Sequence, residues 1–424
     1  MSPGARIYNL FPLLVGSVED WKEHLPRVAA MEFDWVFLNP FHYPGFSGSL
    51  YAVKDYYRLH PMFQGASQAP ADELLRDFLD RAEEHGLRVM MDLVINHTAK
   101  DSVLVEEHPE WFAREEDGSI RSPRAVDPDD PSNVTVWGDL AEIDYDNPEV
   151  REEVVGYWCE LVRHYAALGF HGFRCDAAYQ VPAEVWAAVI SAAREVDPGA
   201  RFFAETLGCT LEQVAALSAA GFDYLFNSSK WWDFREGWLL EQYESFRRIA
   251  PSVSFPESHD TERVGAEANE TVARLRYLFA AFFSTGVMMP VGYEFGFCRR
   301  LDVVRTRPED WEEPQYDISD FIRETNRMKS ECALLNQEGP QEMISGRDSP
   351  VTVLLRRSES GGGVAVGLVN HDPWSAHSFP AVRIVQAAGT YGLSEITPYS
   401  EHSPLRGDVH LNPQEMRVFY AEGG

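Results

Sequence analysis

The chain has 424 residues, 45% of them apolar and 12% aromatic, which is ample material for a large core and more than one core usually holds. Its 67 acidic residues against 37 basic ones leave a formal charge of -30, which excludes broad contact with a phosphate backbone. No apolar run is long enough to span a bilayer, MSPGARIYNL lacks the pattern of an export signal, and the five cysteines show no paired spacing; the expectation is a cytoplasmic protein without membrane or nucleic-acid partners.

Short apolar runs alternate with amphipathic stretches to about residue 335. RIYNLFPLL precedes the helical VEDWKEHLPRVAAM, and DWVFLNP precedes ADELLRDFLDRAEEHG. The pattern continues through LRVMMDLVINH, GFHGFRCDA, RFFAET, FDYLFN, PSVSFPESHD and GVMMPVGYE. Eight strands, each followed by a helix, predict a (β/α)8 barrel. After the third strand the rhythm is broken by a long stretch rich in Asp, Pro, Ser and Trp, too long for an ordinary loop. Beyond residue 336 the period becomes two, in PVTVLLRR, VAVGLVNH, AHSFPAVRIV and EMRVFYAE, which predicts antiparallel strands. The division is therefore a barrel over 1–96 and 148–335, an insertion subdomain over 97–147, and a C-terminal antiparallel β domain, read as a sandwich, over 336–424.

Active sites of such barrels lie at the carboxyl ends of the strands. There the third strand brings Asp92, Asn96 and His97, the fourth Arg174 and Asp176, the fifth Glu205, and the seventh His259 and Asp260. Arg174 and Asp176 are two positions apart, so a strand points both to one face. Alone they could be a buried ion pair. With three carboxylates converging on one mouth they fit the cleavage of a glycosidic bond, which needs one carboxylate to attack and one carboxylic acid to donate a proton. The arginine would keep Asp176 ionised. Cys175 points to the other face and is assigned to packing.

These segments resemble the α-amylase family of retaining glycoside hydrolases, glycoside hydrolase family 13, in order and over nearly the whole chain: DLVINH, GFRCD, FAET and ESHD, with YAVKDYYRLHPMFQG upstream. The resemblance implies that Asp176 is the nucleophile, Glu205 the general acid and then base, and Asp260 the group that binds hydroxyls of the distorted sugar. It implies that Arg174 orients Asp176, that His97 and His259 hydrogen-bond the sugar, that Tyr51 stacks beneath it, and that Asp92 supports Arg174 from behind. No cofactor is implied for the chemistry. A structural calcium is implied on Asn96, an aspartate of the insertion such as Asp139, and backbone oxygens.

Aromatic residues offer sugar platforms. Trp111, Phe112 and Trp137 lie in the insertion; of the pair after the sixth strand, one of Trp231 and Trp232 is expected to meet substrate. One departure matters. Where many members carry a lysine–histidine pair three and four residues after the nucleophile, this chain has Tyr179 and Gln180. EHPEWF with the following DGS looks like a segment of the maltose-1-phosphate maltosyltransferase branch. The expectation is thus a retaining α-glycosidase on soluble α-glucans or malto-oligosaccharides. The alternatives are transfer to a sugar or phosphate acceptor, and a non-catalytic sugar-binding barrel. The sequence leaves oligomeric state open.

Overall fold

The computed structural model describes residues 4–126, 134–359 and 361–423. Residues 127–133 of the expected insertion lie outside the described residues. Eight parallel strands close into a barrel: β1 (Arg6–Asn9), β2 (Trp35–Leu38), β3 (Arg88–Leu93), β4 (Gly172–Cys175), β5 (Arg201–Ala204), β6 (Tyr224–Phe226), β7 (Ser252–Ser254) and β8 (Gly286–Pro290). The helices that follow them in turn are α1 (Val18–Ala30), α2 (Ala71–Glu84), α3 (Arg151–Leu168), α4 (Ala183–Val196), α5 (Leu211–Ala216), α6 (Trp238–Phe246), α7 (Glu270–Phe283) and α8 (Ser319–Glu331). This is the (β/α)8 barrel expected. Among the described residues no helix is long and apolar enough to cross a membrane.

Alternation along each strand builds two cores. One set of side chains, including Ile7, Trp35, Phe37, Met90, Phe203 and Phe226, forms one cluster; the alternate set, including Tyr8, Val36, Met91, Phe173, Cys175 and Phe202, packs with the helices. The first set fills the barrel interior, as the layered packing of this fold requires. Gly172 makes room in that plug, since a Cβ there would lie 2.9 Å from the Trp35 ring. Two residues beyond the plug, on the same faces, stand Asn9, Asn39, Asp92, Arg174 and Glu205, each at the rim of the cylinder.

Between β3 and α3 the chain forms small hairpins. His97–Ala99 pairs antiparallel with Leu140–Glu142, and Arg124–Val126 with Val134–Val136. The first pairing pins the insertion directly above the end of β3 and brings Asp139 beside Lys100, whose amide donates to the Asp139 carbonyl at 2.9 Å.

The C-terminal part is a five-stranded antiparallel sheet with a separate two-stranded ribbon, His377–Phe379 with Val409–Leu411. Leu354, Ala365, Val369, Met416 and Val418 join the barrel's outer core, whereas Val353, Leu355, Val366 and Leu368 form a second core with Phe379, Ile384 and Leu411. Within the run read as a strand, Ala381–Ala388 is a helix. Its β-branched residues suggest extension, but Ala381, Ile384 and Ala388 fall on one face at helical spacing and are the ones buried. The sheet is tied to the barrel by donors aimed at the end of α7. From the sheet Arg356 Nη1 donates to the carbonyls of Phe282 and Phe283 at 2.7 and 3.1 Å, and from the barrel's own α8 Lys329 Nζ donates to those of Ala281 and Ser284 at 3.0 and 2.7 Å. They satisfy carbonyls that a helix terminus leaves without partners.

Candidate active site

The register of β3 against β4 sets Asp92 directly opposite Arg174. Arg174 Nη1 donates to both carboxylate oxygens of Asp92, at 2.9 and 3.0 Å, and to Asp176 Oδ1 at 2.7 Å. Burial opposes the Arg174 charge, but Asp92, the Tyr51 hydroxyl, Asp176 and Glu205 outweigh it and hold the guanidinium well above its ordinary range. Burial pushes the Asp92 carboxyl upward, against the pull of Arg174 and of a hydrogen bond from Tyr51. Asp92 therefore supports Arg174 from below, and Arg174 presents Asp176 to the mouth of the barrel.

Past Asp176 the chain turns sharply. Ala177 adopts the left-handed region with φ 40° and ψ 47°, which costs a non-glycine residue about 1 kcal/mol. The turn aims its amide at Glu205 Oε2, 2.8 Å away, while Leu207 N donates to Oε1 at 2.9 Å. Both carboxyl oxygens of Glu205 are thus oriented by backbone. Burial raises Glu205 to about 7, helped by the charges of Asp176 and Asp260 and opposed by Arg174 and the Leu207 amide. A carboxylic acid that keeps its proton near neutrality is what proton donation to a leaving group requires.

Tyr51 links the site's two sides. Its hydroxyl donates to Asp92 Oδ2 at 2.7 Å, accepts from Asn39 Nδ2 at 3.1 Å and lies 2.7 Å from His259 Nε2. Its ring stacks on the His259 ring, 5.7 Å between centroids at 10°. His259 Nε2 also lies 3.1 Å from Asp260 Oδ2, and its Nδ1 is buried without a partner, which places the proton on Nε2. Burial lowers both His259 and His97, so both act as neutral rings. His97 Nε2 contacts the Tyr51 carbonyl at 3.1 Å.

Tyr51, His97, Arg174, Asp176, Glu205 and Asp260 line one cavity of about 500 Å³, within the range of small-ligand sites. Asn96 and Asp139 line it too. Among the expected aromatic platforms, Trp137 lines it and is 40% exposed. Trp111 and Phe112 are buried in the core. Neither tryptophan of the pair after the sixth strand is among the lining residues: Trp232 is fully buried against Phe234 and Phe279, and its Nε1 donates to the Glu236 carbonyl at 2.7 Å. Trp231 is half exposed and lies edge-on to Phe255, which lines a smaller adjoining cavity with Glu205, His259 and Asp260. Trp232→Ala is accordingly expected to destabilise the protein by about 3–5 kcal/mol in denaturant unfolding, whereas Trp137→Ala leaves the unfolding midpoint in place.

Asn9 and Asn39 went unnoticed in the sequence. Asn9 Nδ2 donates to Asn39 Oδ1 at 2.8 Å, and Asn39 in turn holds Tyr51. The signal was there: each follows an interior apolar position, Ile7 or Phe37, by two residues.

The set expected to hold calcium is Asn96, Asp139 and backbone oxygens, and both side chains line the cavity. Asn96 commits its Nδ2 to Gln180 Oε1 at 3.1 Å and offers only Oδ1, a buried oxygen without a partner. With Asp139 that makes two side-chain donors, so backbone oxygens would have to supply most of the about six to eight that calcium takes. Among the described residues no three His, Cys, Asp or Glu side chains gather to hold a metal. No step below runs through one.

Residues 4–116 match the family model described as the glucanotransferase domain of glycogen debranching enzyme. An α-1,4-glucan:maltose-1-phosphate maltosyltransferase of Burkholderia pseudomallei is 27% identical over 402 residues, 92% of this chain and 35% of that protein. An α-amylase of Haloarcula japonica is 22% identical over 86% of this chain and 54% of its own length. The chain thus spans about a third to just over half of these curated relatives. Among solved structures, an α-amylase from Lactobacillus plantarum superposes with a TM-score of 0.76 at 19% identity, over 98% of both chains. The chain is thus similar in sequence to proteins named maltosyltransferases and α-amylases, and it shares its fold with an α-amylase.

Proposed function

We propose that the protein is a retaining α-glycosidase, hydrolase or transglycosylase, acting on soluble α-glucans or malto-oligosaccharides in the cytoplasm. The observation that carries this reading is the different surroundings of two carboxyl groups in one cavity: Asp176 accepts a hydrogen bond from a buried arginine, and Glu205, oriented by two backbone amides, is raised to about 7. Environments that separate the behaviour of two acids assign the acid and the nucleophile.

Arg174 occupies Asp176 Oδ1. Oδ2 is then the oxygen assigned to attack. It forms a bond to the anomeric carbon as the glycosidic C–O bond breaks, and the leaving oxygen takes the Glu205 proton. The glycosyl ester on Asp176 is released in reverse: Glu205, now a carboxylate, takes the proton of an incoming hydroxyl whose oxygen bonds to the same carbon. Asp260 and the neutral His97, which line the cavity, receive the sugar's hydroxyls, while His259, outside that lining, holds Asp260 and Tyr51 through Nε2. Their arrangement around Tyr51 keeps the rim rigid through both steps.

Transfer to another glucan is the second reading. It is favoured by the similarity to proteins named maltosyltransferases and by Tyr179 and Gln180 on the cavity wall. Both readings predict retention. Proton NMR of the first product formed from maltopentaose is expected to show the α-anomer ahead of mutarotation. Initial appearance of the β-anomer would overturn the assignment of Asp176.

A further inference from the structure

We infer that the leaving-group side of this cavity is built for a neutral hydroxyl-bearing partner, a sugar, and rejects a glycosyl phosphate. The inference rests on the reading of Asp176 and Glu205 above and narrows its substrate class. Among the described residues the cavity lining carries four carboxyl groups, Asp139, Asp176, Glu205 and Asp260, against one cation, Arg174. That cation is already spent inside the protein: its Nη1 spans Asp92 and reaches Asp176. Arg300, which reaches the Asp260 carbonyl at 2.9 Å, is likewise paired with Glu262 at 3.1 Å.

The wall past the nucleophile is neutral throughout. Asn96 Nδ2 donates to Gln180 Oε1, and Gln180 Nε2 faces the Tyr179 hydroxyl at 3.4 Å. Burial lifts the Tyr179 phenol to about 12, so it stays uncharged. Trp137, Val303 and Val304 supply apolar surface, suited to the C–H face of a pyranose. A phosphate dianion placed here meets carboxylates with no free cation among the described lining residues, in a protein already carrying a charge of -30. An uncompensated charge against the wrong ligand is a specificity device in its own right. The relatives named for maltose 1-phosphate therefore share the barrel with this chain but not its preferred leaving group.

The test uses the full chain carrying Glu205→Gln, whose neutral amide stands for the protonated acid and leaves the cavity charge as it is. Titration calorimetry compares maltose with maltose 1-phosphate at low and high salt. Maltose is expected to bind about a hundredfold more tightly at low salt, with the gap narrowing as salt screens the carboxylates. Adding Gln180→Lys is expected to shift the ratio toward the phosphate ester by about tenfold or more. Equal or tighter binding of the phosphate ester, or a gap indifferent to salt, would overturn the inference. Turnover of maltopentaose and maltose 1-phosphate by the wild-type protein is read in parallel. If neither is turned over, the proposed reaction fails, and the affinities still decide the charge argument.

Discussion

Asp176→Asn is expected to lower kcat on the order of 10⁴-fold or more while the protein stays folded. Arg174 explains why folding survives. Its guanidinium keeps both contacts to Asp92 and can still donate to the asparagine carbonyl, so no buried cation is stranded. The stability change should stay within about 1 kcal/mol by denaturant titration. Arg174→Ala would behave differently, because it leaves Asp92 as an unpaired carboxylate with no exposure, a loss of about 3–5 kcal/mol. A variant Asp176→Asn with near-normal turnover on maltopentaose would remove the nucleophile from the scheme.

Glu205→Gln is expected to lower turnover of malto-oligosaccharides by about 10²–10⁴-fold. Its diagnostic effect is on pH dependence. The working form of Glu205 in the first step is protonated, and its proton is held to about 7, so kcat/KM of the wild type should fall as pH rises through that value. In the variant the basic limb vanishes, because nothing at this position titrates. An α-glucosyl fluoride needs no proton for fluoride to depart, so with it the variant should accumulate an ester on Asp176, visible by mass spectrometry. Azide, which attacks without a base, should then restore turnover. A basic limb unchanged in Glu205→Gln would mean another group is the acid.

The parts of this site legible in the sequence are those fixed by strand periodicity. Arg174 and Asp176 share a face because they are two apart, and Asp92 meets Arg174 because neighbouring strands of a closed barrel run in register. What depends on packing between distant segments was not legible. Trp231 and Trp232 are adjacent in sequence, yet one is buried against α7 and the other half exposed. Trp137 reaches the cavity through the pairing of His97–Ala99 with Leu140–Glu142, a contact no local pattern announces. Asn9 and Asn39 matter only through a chain of hydrogen bonds that ends on Tyr51. The helix Ala381–Ala388 lost out to the extended preference of its valines and isoleucine until burial chose between the two periods.

The carbonyls ending α7 receive donors from Lys329 and from Arg356, and Arg356 stands on a strand whose sheet is completed only by Met416–Glu422. During synthesis, a ribosome must therefore deliver the chain as far as Met416–Glu422 before the helix between the last two barrel strands can settle. Until then that helix end and the apolar face awaiting the sheet stay open to water or to a chaperone. Maturation of the catalytic cylinder is consequently a late event, governed by residues far from any sugar.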